Sequence, residues 1–273
     1  MILDTLAKSS RQRVEKTKES VTLDTLKALI YCKNSVRSFH NRADFAFEEA
    51  LKENGISFIC EVKKASPSKG VIAENFPYLD IAKDYEEAGA SAISVLTEPE
   101  YFKGCNSYLT KISQNAKIPI LRKDFTVDEY QLYEAKVIGA DAVLLICSLL
   151  DADTIRRYMK ICDELGLSAL VEAHTKEEVD SAIKAGARII GVNNRNLKTF
   201  EVNINNSSSL RKHVPQNIIF VAESGIRTAE DISSLISAGV DAVLIGETLI
   251  RSPNKKEMLA TLTSNQKSRC NYE

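Results

Sequence analysis

Four segments of this chain share one grammar: a helical run, a glycine, a small residue, then a short apolar run. They are Glu86-Glu87-Ala88-Gly89-Ala90-Ser91-Ala92-Ile93, Val137-Ile138-Gly139-Ala140-Asp141-Ala142-Val143, Ile183-Lys184-Ala185-Gly186-Ala187-Arg188-Ile189 and Ile236-Ser237-Ala238-Gly239-Val240-Asp241-Ala242-Val243. The glycine reads as the residue that ends a helix in the left-handed conformation, where a Cβ is unfavourable. The run after it has the length and β-branched content of a strand buried on both faces. Repeated units of this kind imply βα repeats and a parallel sheet. Eight candidate strands follow: Ser57–Lys63, Ala92–Thr97, Ile118–Lys123, Ala142–Ser148, Ser168–Ala173, Ile189–Asn193, Ile218–Glu223 and Ala242–Gly246. Between them lie helical stretches such as Leu79–Ala88, Val127–Ile138, Asp151–Leu165, Lys176–Ala185 and Thr228–Ala238, with Asp151 and Thr228 as N-caps. This alternation predicts an α/β fold, a closed (β/α)8 TIM barrel over 57–250. An open doubly wound sheet is the competitor, but no Gly-x-Gly-x-x-Gly follows the first strand.

The flanks extend this plan. Residues 1–50 read as a helical N-terminal extension, with helices at Ile2–Lys18, Thr22–Cys32 and Ala43–Asn54 that cap the barrel or reach towards its mouth. Residues 251–273 read as a C-terminal helix and a frayed tail, so 1–273 is expected to form a single domain. A chain of 273 residues, 44% hydrophobic, can bury a full core. Its net charge of −1 favours neither a nucleic-acid nor an acidic membrane partner. The longest apolar run, Ala142–Cys147, is far too short to span a bilayer, and Met1-Ile2-Leu3-Asp4 does not open a signal peptide. The six cysteines are scattered without a Cys-x-x-Cys pair, which fits reduced thiols in a cytoplasmic protein better than disulfides or a zinc site.

The polar residues fall where such a barrel places its chemistry, at the C-terminal strand ends. Strand by strand these are Glu61 and Lys63, Thr97, Lys123, Cys147 with Ser148, Glu172, Asn193 with Arg195, Glu223 with Ser224 and Gly225, and Gly246. Glu61 and Lys63 are two residues apart and so share one face of the first strand. Charges at the end of a buried strand are costly unless paired or turned on a charged ligand. Ser66-Pro67-Ser68-Lys69-Gly70 adds hydroxyls, backbone N–H groups and a cation, a set suited to phosphate. The loops Glu223-Ser224-Gly225-Ile226 and Gly246-Glu247-Thr248 follow strands seven and eight, where barrels hold phosphate. An enzyme acting on a charged, phosphorylated small molecule is expected. The remaining signals are weak: His174 reads as a loop or satisfied structural histidine, and His40 and His213 as surface residues. Ser224 lacks a Gly-x-Ser-x-Gly context, and Arg11–Glu19 reads as a solvated helix face.

The chain resembles the indole-3-glycerol phosphate synthase family from Met1-Ile2-Leu3-Asp4 to about Arg251. The most specific segment is Phe58-Ile59-Cys60-Glu61-Val62-Lys63-Lys64-Ala65-Ser66-Pro67-Ser68. Supporting blocks include Leu96-Thr97 through Phe102-Lys103-Gly104, Leu121-Arg122-Lys123-Asp124-Phe125, Leu170-Val171-Glu172, Gly191-Val192-Asn193-Asn194-Arg195-Asn196-Leu197, Ala222-Glu223-Ser224-Gly225-Ile226 and Leu244-Ile245-Gly246-Glu247. The family reaction converts 1-(2-carboxyphenylamino)-1-deoxyribulose 5-phosphate to indole-3-glycerol phosphate, carbon dioxide and water, in tryptophan biosynthesis. The resemblance implies no metal or organic cofactor. It makes Lys123 the general acid at the ketone, with a pKa expected to be lowered by partial desolvation; a salt bridge to Asp124 or Glu172 is the alternative. Lys63 holds the substrate carboxylate, and its share with Lys123 in the dehydration stays open. Glu61 orients a lysine or contacts substrate, Glu172 is the candidate general base, and Asn193 and Glu223 bind substrate hydroxyls or position the catalytic groups. Arg195 pairs with a glutamate or binds carboxylate. Ser66, Ser224, Gly225, Gly246 and the backbone N–H of Glu247 serve the phosphate, the Glu247 side chain turning outward, where family members often carry serine. Phe102 and Phe125 flank the aromatic ring or are ordinary core.

Two other readings compete. A phosphosugar isomerase barrel shares the phosphate loops but needs a Cys or Asp acid–base pair. A non-catalytic barrel would bind phosphorylated ligands without turnover, and would not require both lysines and all three glutamates. A monomer is expected; association with other tryptophan-pathway enzymes is left open.

Overall fold

The computed structural model describes residues 2–31, 42–52, 55–196 and 199–264. Its strands are β1 (Ser57–Val62), β2 (Ala92–Leu96), β3 (Ile120–Lys123), β4 (Ala142–Ile146), β5 (Ser168–Ala173), β6 (Ile189–Asn193), β7 (Ile219–Glu223) and β8 (Ala242–Ile245). All neighbours pair in parallel and β1 closes on β8, with Ser57 opposite Ala242 and Cys60 opposite Ile245. The barrel expected from the sequence is therefore present. β3 begins at Ile120 because Pro119 has no N–H to give a ladder; its carbonyl only accepts from Ile93, at 3.0 Å.

Helix boundaries follow local chemistry. The four repeat glycines adopt positive φ, +89° at Gly89, +95° at Gly139, +93° at Gly186 and +80° at Gly239. Asp151 caps its helix through Thr154 N–H, and Thr228 forms a reciprocal capping box with Asp231. The helix expected from Val127 starts only at Tyr130, because the Asp128 carboxylate takes the Tyr130 N–H at 2.8 Å. Two helices are not among those expected from the sequence: Asn106–Asn115, which buries Leu109 and Ile112, and Asn205–Arg211, which is rich in serine and asparagine. The second is fixed by Ser207, whose N–H and hydroxyl both donate to Asn194 Oδ1 at 3.0 and 2.8 Å. The helix Lys255–Thr263 packs on the barrel helix Tyr78–Glu87, where Lys256 pairs with Glu87 and Asp84. Residues 265–273, with Cys270, lie outside the described residues, as do Cys32 and His40. Cys60, Cys105, Cys147 and Cys162 are free thiols. Among the described residues no helix is long and apolar enough to cross a membrane.

The N-terminal extension serves both ends of the barrel. The helix Ile2–Ser20 crosses the C-terminal face: Arg13 donates to Asp124 at 2.7 Å, Lys18 to Asp128 at 2.8 Å and Ser9 to Glu100 at 2.6 Å. Arg11, Gln12, Glu15, Lys16 and Glu19 are exposed, as the solvated-face reading expects, but Val14 is buried and Arg13 and Lys18 turn to the barrel, where buried Asp124 is paired by Arg13 as well as Arg122. The expected helix Ala43–Asn54 is shorter, Ala46–Ala50, and closes the opposite end. There Phe47 and Leu51 join Ile59, Leu121, Leu170 and Val221 in the barrel interior, and Glu48 N–H donates to Ser168 Oγ at 3.2 Å.

Phe47 is fully buried as the plug of that end. Phe47→Ala should lower unfolding free energy by about 3–5 kcal/mol, read from urea denaturation, because the cavity it leaves is bounded by strands that cannot collapse into it.

Candidate active site

Side chains inside a (β/α)8 barrel stack in layers of four, each layer drawn from alternate strands. Here Ile59, Leu121, Leu170 and Val221 come from β1, β3, β5 and β7 and belong to the interior apolar cluster. Two residues further along each strand, on the same face, stand Glu61, Lys123, Glu172 and Glu223. The chain thus lays a charged layer directly on an apolar one. Lys123 Nζ donates to Glu172 Oε2 at 2.9 Å and to Glu223 Oε2 at 3.0 Å. Lys63 Nζ donates to Glu61 Oε1 at 2.5 Å. Asn193, from β6, donates through Nδ2 to Glu172 Oε1 at 3.2 Å. Its amide is oriented by the Arg195 backbone N–H, which donates to Oδ1 at 3.0 Å.

These groups face a cavity of about 430 Å³. Its wall holds Glu61, Lys63, Ser66, Phe102, Lys123, Glu172, Asn193, Arg195, Glu223, Ser224, Gly225, Gly246 and Glu247, whereas the strand-end residues Thr97, Cys147 and Ser148 do not line it. Phe125 is there too, its ring centroid 6.1 Å from that of Phe102, so both rings border the cavity rather than sitting wholly in the core. The Phe102 loop is rigid: the buried Glu98 carboxylate accepts from the N–H groups of Glu100, Tyr101 and Phe102 at 2.8–2.9 Å.

Burial and charge act against each other in the charged layer. Burial alone would lower the Lys123 pKa, but Glu172, Glu223 and Glu61 outweigh it and push the ammonium well above its usual range. This corrects the lowered value expected from the sequence, which weighed desolvation without two carboxylates in hydrogen-bond contact. Burial also works to raise Glu172, yet Lys123, His174 and Asn193 hold it at about 2. Glu223 is raised to about 7: burial dominates, Lys123 opposes it, and Glu172 adds repulsion. The geometry agrees, for Glu223 Oε1 is buried with no hydrogen-bond partner. An unpartnered carboxylate oxygen in that position favours the protonated form.

On the rim, Ser224 has φ +68° and Gly225 φ +85°, so two consecutive left-handed residues turn the chain after β7. Asn194 Nδ2 holds that turn by donating to the Ser224 carbonyl at 3.0 Å. Gly246 is needed for a reason the sequence did not suggest: a Cβ there would lie 2.4 Å from Glu61 Oε1 and 2.9 Å from Lys63 Nζ. A Cβ at Gly191 would likewise meet Glu223 Oε1 at 2.2 Å. The Glu247 side chain does not turn outward as expected. It lines the cavity, accepting from Arg251 Nε at 3.1 Å, with Arg195 3.8 Å away, because two guanidiniums draw it along the rim.

Several residues of the cavity are not among those assigned to the site from the sequence. Ile2, Leu3 and Leu6 reach the cavity from the N-terminal helix, and Arg227, Phe200 and Val202 from the loops. His174, read as a structural histidine, lies with Nε2 3.4 Å from Glu172 Oε1. Its spacing of two from Glu172, past a strand end, was the available clue. Among the described residues no group of three or more His, Cys, Asp and Glu side chains converges to hold a metal ion.

Comparison with known proteins places this cavity in context. Residues 3–262 match the model of the indole-3-glycerol phosphate synthase family. The protein of that name from Ruminiclostridium cellulolyticum is 60% identical over 262 residues, covering 96% of this chain and 98% of that protein. The one from Endomicrobium trichonymphae is 52% identical over 264 residues, covering 96% and 99%. Among solved structures, 3-hexulose-6-phosphate synthase from Salmonella typhimurium superposes with a TM-score of 0.63 at 14% identity, over 77% of this chain and 97% of that one. Thiamine phosphate pyrophosphorylase from Pyrococcus furiosus gives 0.57 at 16% identity, over 78% and 96%. At such identities these two speak for the barrel alone. The family match and the relatives span nearly the whole chain, and the chain belongs to the indole-3-glycerol phosphate synthase family.

Proposed function

We propose that this chain closes the ring of 1-(2-carboxyphenylamino)-1-deoxyribulose 5-phosphate and releases carbon dioxide and water to give indole-3-glycerol phosphate. The observation that carries this reading is the Lys123 ammonium, bonded to two buried carboxylates and facing a cavity that Phe102 and Phe125 border. An aromatic carbon attacks the ketone, and the carbonyl oxygen becomes an alkoxide. Lys123 is charged at neutral pH, and a developing alkoxide is basic enough to take its proton despite the raised pKa. Losing that proton removes the cation that holds Glu172 down. Glu172 therefore becomes a stronger base as the reaction advances, ready for the proton lost with the hydroxyl.

Lys63, bonded to Glu61 across the cavity from this trio, is assigned to the substrate carboxylate and to protonation of the departing hydroxyl. As a neutral carboxyl Glu223 can both donate to and accept from a substrate hydroxyl, and Asn193 keeps Glu172 in place. The phosphate is assigned to Ser66, Arg195 and the backbone of Ser224, Gly225, Gly246 and Glu247, with Glu247 tempering the charge of Arg195. Residues 1–273 are read as one domain that acts as a monomer in the cytoplasm. Support for one domain is the packing of the N-terminal helices and of Lys255–Thr263 on the barrel.

Turnover is measured by indole fluorescence; the chain has no Trp, so the background is low. Lys123→Met should lower kcat by roughly 10²–10⁴-fold, as expected for loss of a general acid. Near-normal kcat in a folded variant would move the acid to Lys63, and no product from wild type would sink the reading.

Glu223 sets a pH dependence. As pH rises through about 7 it loses its proton and adds a negative charge beneath a substrate that is already a dianion or more. The kcat/KM of wild type should therefore fall as pH rises through that value. Glu223→Gln, neutral throughout, should abolish this fall; an unchanged profile would assign the limb to another group.

A further inference from the structure

Lys123 stands almost equally close to two carboxylates, 2.9 Å from Glu172 and 3.0 Å from Glu223. This contact alone does not decide which of them keeps the negative charge. Their other partners differ. Glu172 Oε1 accepts from Asn193 and faces His174 Nε2 at 3.4 Å, whereas Glu223 Oε1 has no hydrogen-bond partner. His174 Nε2 is itself buried and, among the described residues, makes no hydrogen bond and has the Glu172 oxygen as its one close ionic neighbour on that side.

We infer that His174 is a positioning residue that breaks this symmetry: as an imidazolium it fixes the negative charge on Glu172 and leaves the titrating proton to Glu223. It would thereby divide the acid–base roles between two carboxylates that share one lysine.

The surroundings of His174 are suited to a cation. From the helix Lys176–Ala185, Glu178 Oε2 lies 3.2 Å from Nδ1 and accepts the His174 backbone N–H at 2.6 Å. From the turn after β4, Ser148 Oγ donates to Glu178 Oε1 at 2.6 Å and lies 3.5 Å from Nδ1, which keeps that carboxylate against the ring. The neighbouring Cys147 thiol is pushed up to about 12 by burial and stays neutral. From the helix Asn205–Arg211, Asn206 Nδ2 donates to the His174 carbonyl at 3.2 Å. Glu223 on β7 adds a third carboxylate field, while Lys123, bonded to the other oxygen of Glu172, opposes it. Burial alone would lower the imidazole pKa, but Glu178, Glu172 and Glu223 outweigh it and the net direction is upward.

Two measurements test this, and only the second rests on the acid–base reading proposed above. The first is NMR titration of the imidazole in the full chain, assigned with His174→Gln among the three histidines present. His174 should titrate above the usual 6.5 and drop by about one pH unit in Glu172→Gln, which removes its facing charge. An unchanged titration overturns the coupling whether or not the protein turns substrate over. The second is the pH profile of kcat/KM in His174→Gln, which keeps an N–H towards Glu172 and loses the charge. Removing a cation makes both carboxylates harder to ionise, so the limb near pH 7 should move up by about one pH unit while the thermal midpoint stays close to wild type. A limb that stays put in folded His174→Gln overturns the proposal, because a hydrogen bond without charge would then suffice. If His174→Gln does not fold, Glu178→Gln supplies the kinetic arm: it weakens the imidazolium and should move the limb in the same direction, and a fixed limb overturns the proposal equally. Absence of the limb in wild type would instead count against the Glu223 reading, leaving the NMR result to decide the role of His174.

Discussion

One ammonium held between two buried carboxylates is the constraint on which the rest of this molecule depends. Placing Glu172 and Glu223 inside a barrel is costly, because a carboxylate removed from water loses several kcal/mol of solvation that a neighbour must return. Lys123 is a single cation shared between the two, 2.9 Å from one and 3.0 Å from the other. The remainder is spread over Asn193, His174 and the protonation of Glu223 itself. Among the three groups in direct contact, Lys123, Glu172 and Glu223, carboxylates outnumber the ammonium, and burial with Glu172 nearby raises the Glu223 pKa.

The fold makes room for this layer in ways that concern backbone as much as charge. Gly246 leaves space for the Glu61–Lys63 pair and Gly191 for the carboxylate of Glu223. Beneath lies the apolar layer of Ile59, Leu121, Leu170 and Val221, sealed at the far end by Phe47 and Leu51. Water is therefore excluded from below, and the dielectric around the charges stays low, which strengthens each pairing and each pKa shift. Above, the N-terminal helix is tied by Arg13 to buried Asp124, next to Lys123 in sequence. A segment that lies outside the barrel in sequence thus helps to fix the Lys123 strand end in space.

The barrel was legible because its signals are local: glycines that end helices, β-branched runs and capping residues act over a few positions. The gathering of Glu61, Lys63, Lys123, Glu172, Asn193 and Glu223 on one cavity was legible for a related reason, since strand ends of a barrel converge and polar residues after apolar runs mark them. What stayed hidden depends on contacts distant in sequence. Asn205–Arg211 is not among the helices expected from the sequence, and its Ser207 is held by Asn194, eleven residues before the helix starts. The pKa of Lys123 was expected to fall because desolvation can be read from apolar neighbours, whereas the opposing carboxylates come from β5 and β7. The side chains of Arg13 and Lys18 looked solvated because their partners, Asp124 and Asp128, lie more than a hundred residues away. His174 reads as a loop or satisfied structural histidine because its contacts with Glu178, four residues on, and with Glu172 appear only in the fold.

The most direct test of this account is the protonation state of the two carboxylates, followed by ¹³C NMR of a chain labelled at the glutamate side-chain carboxyls. Assignment would use Glu172→Gln and Glu223→Gln. The account predicts that Glu223 titrates near 7 while Glu172 remains ionised down to at least about pH 4. Two carboxyls that both titrate in the usual glutamate range, or Glu172 titrating at the higher value, would contradict it.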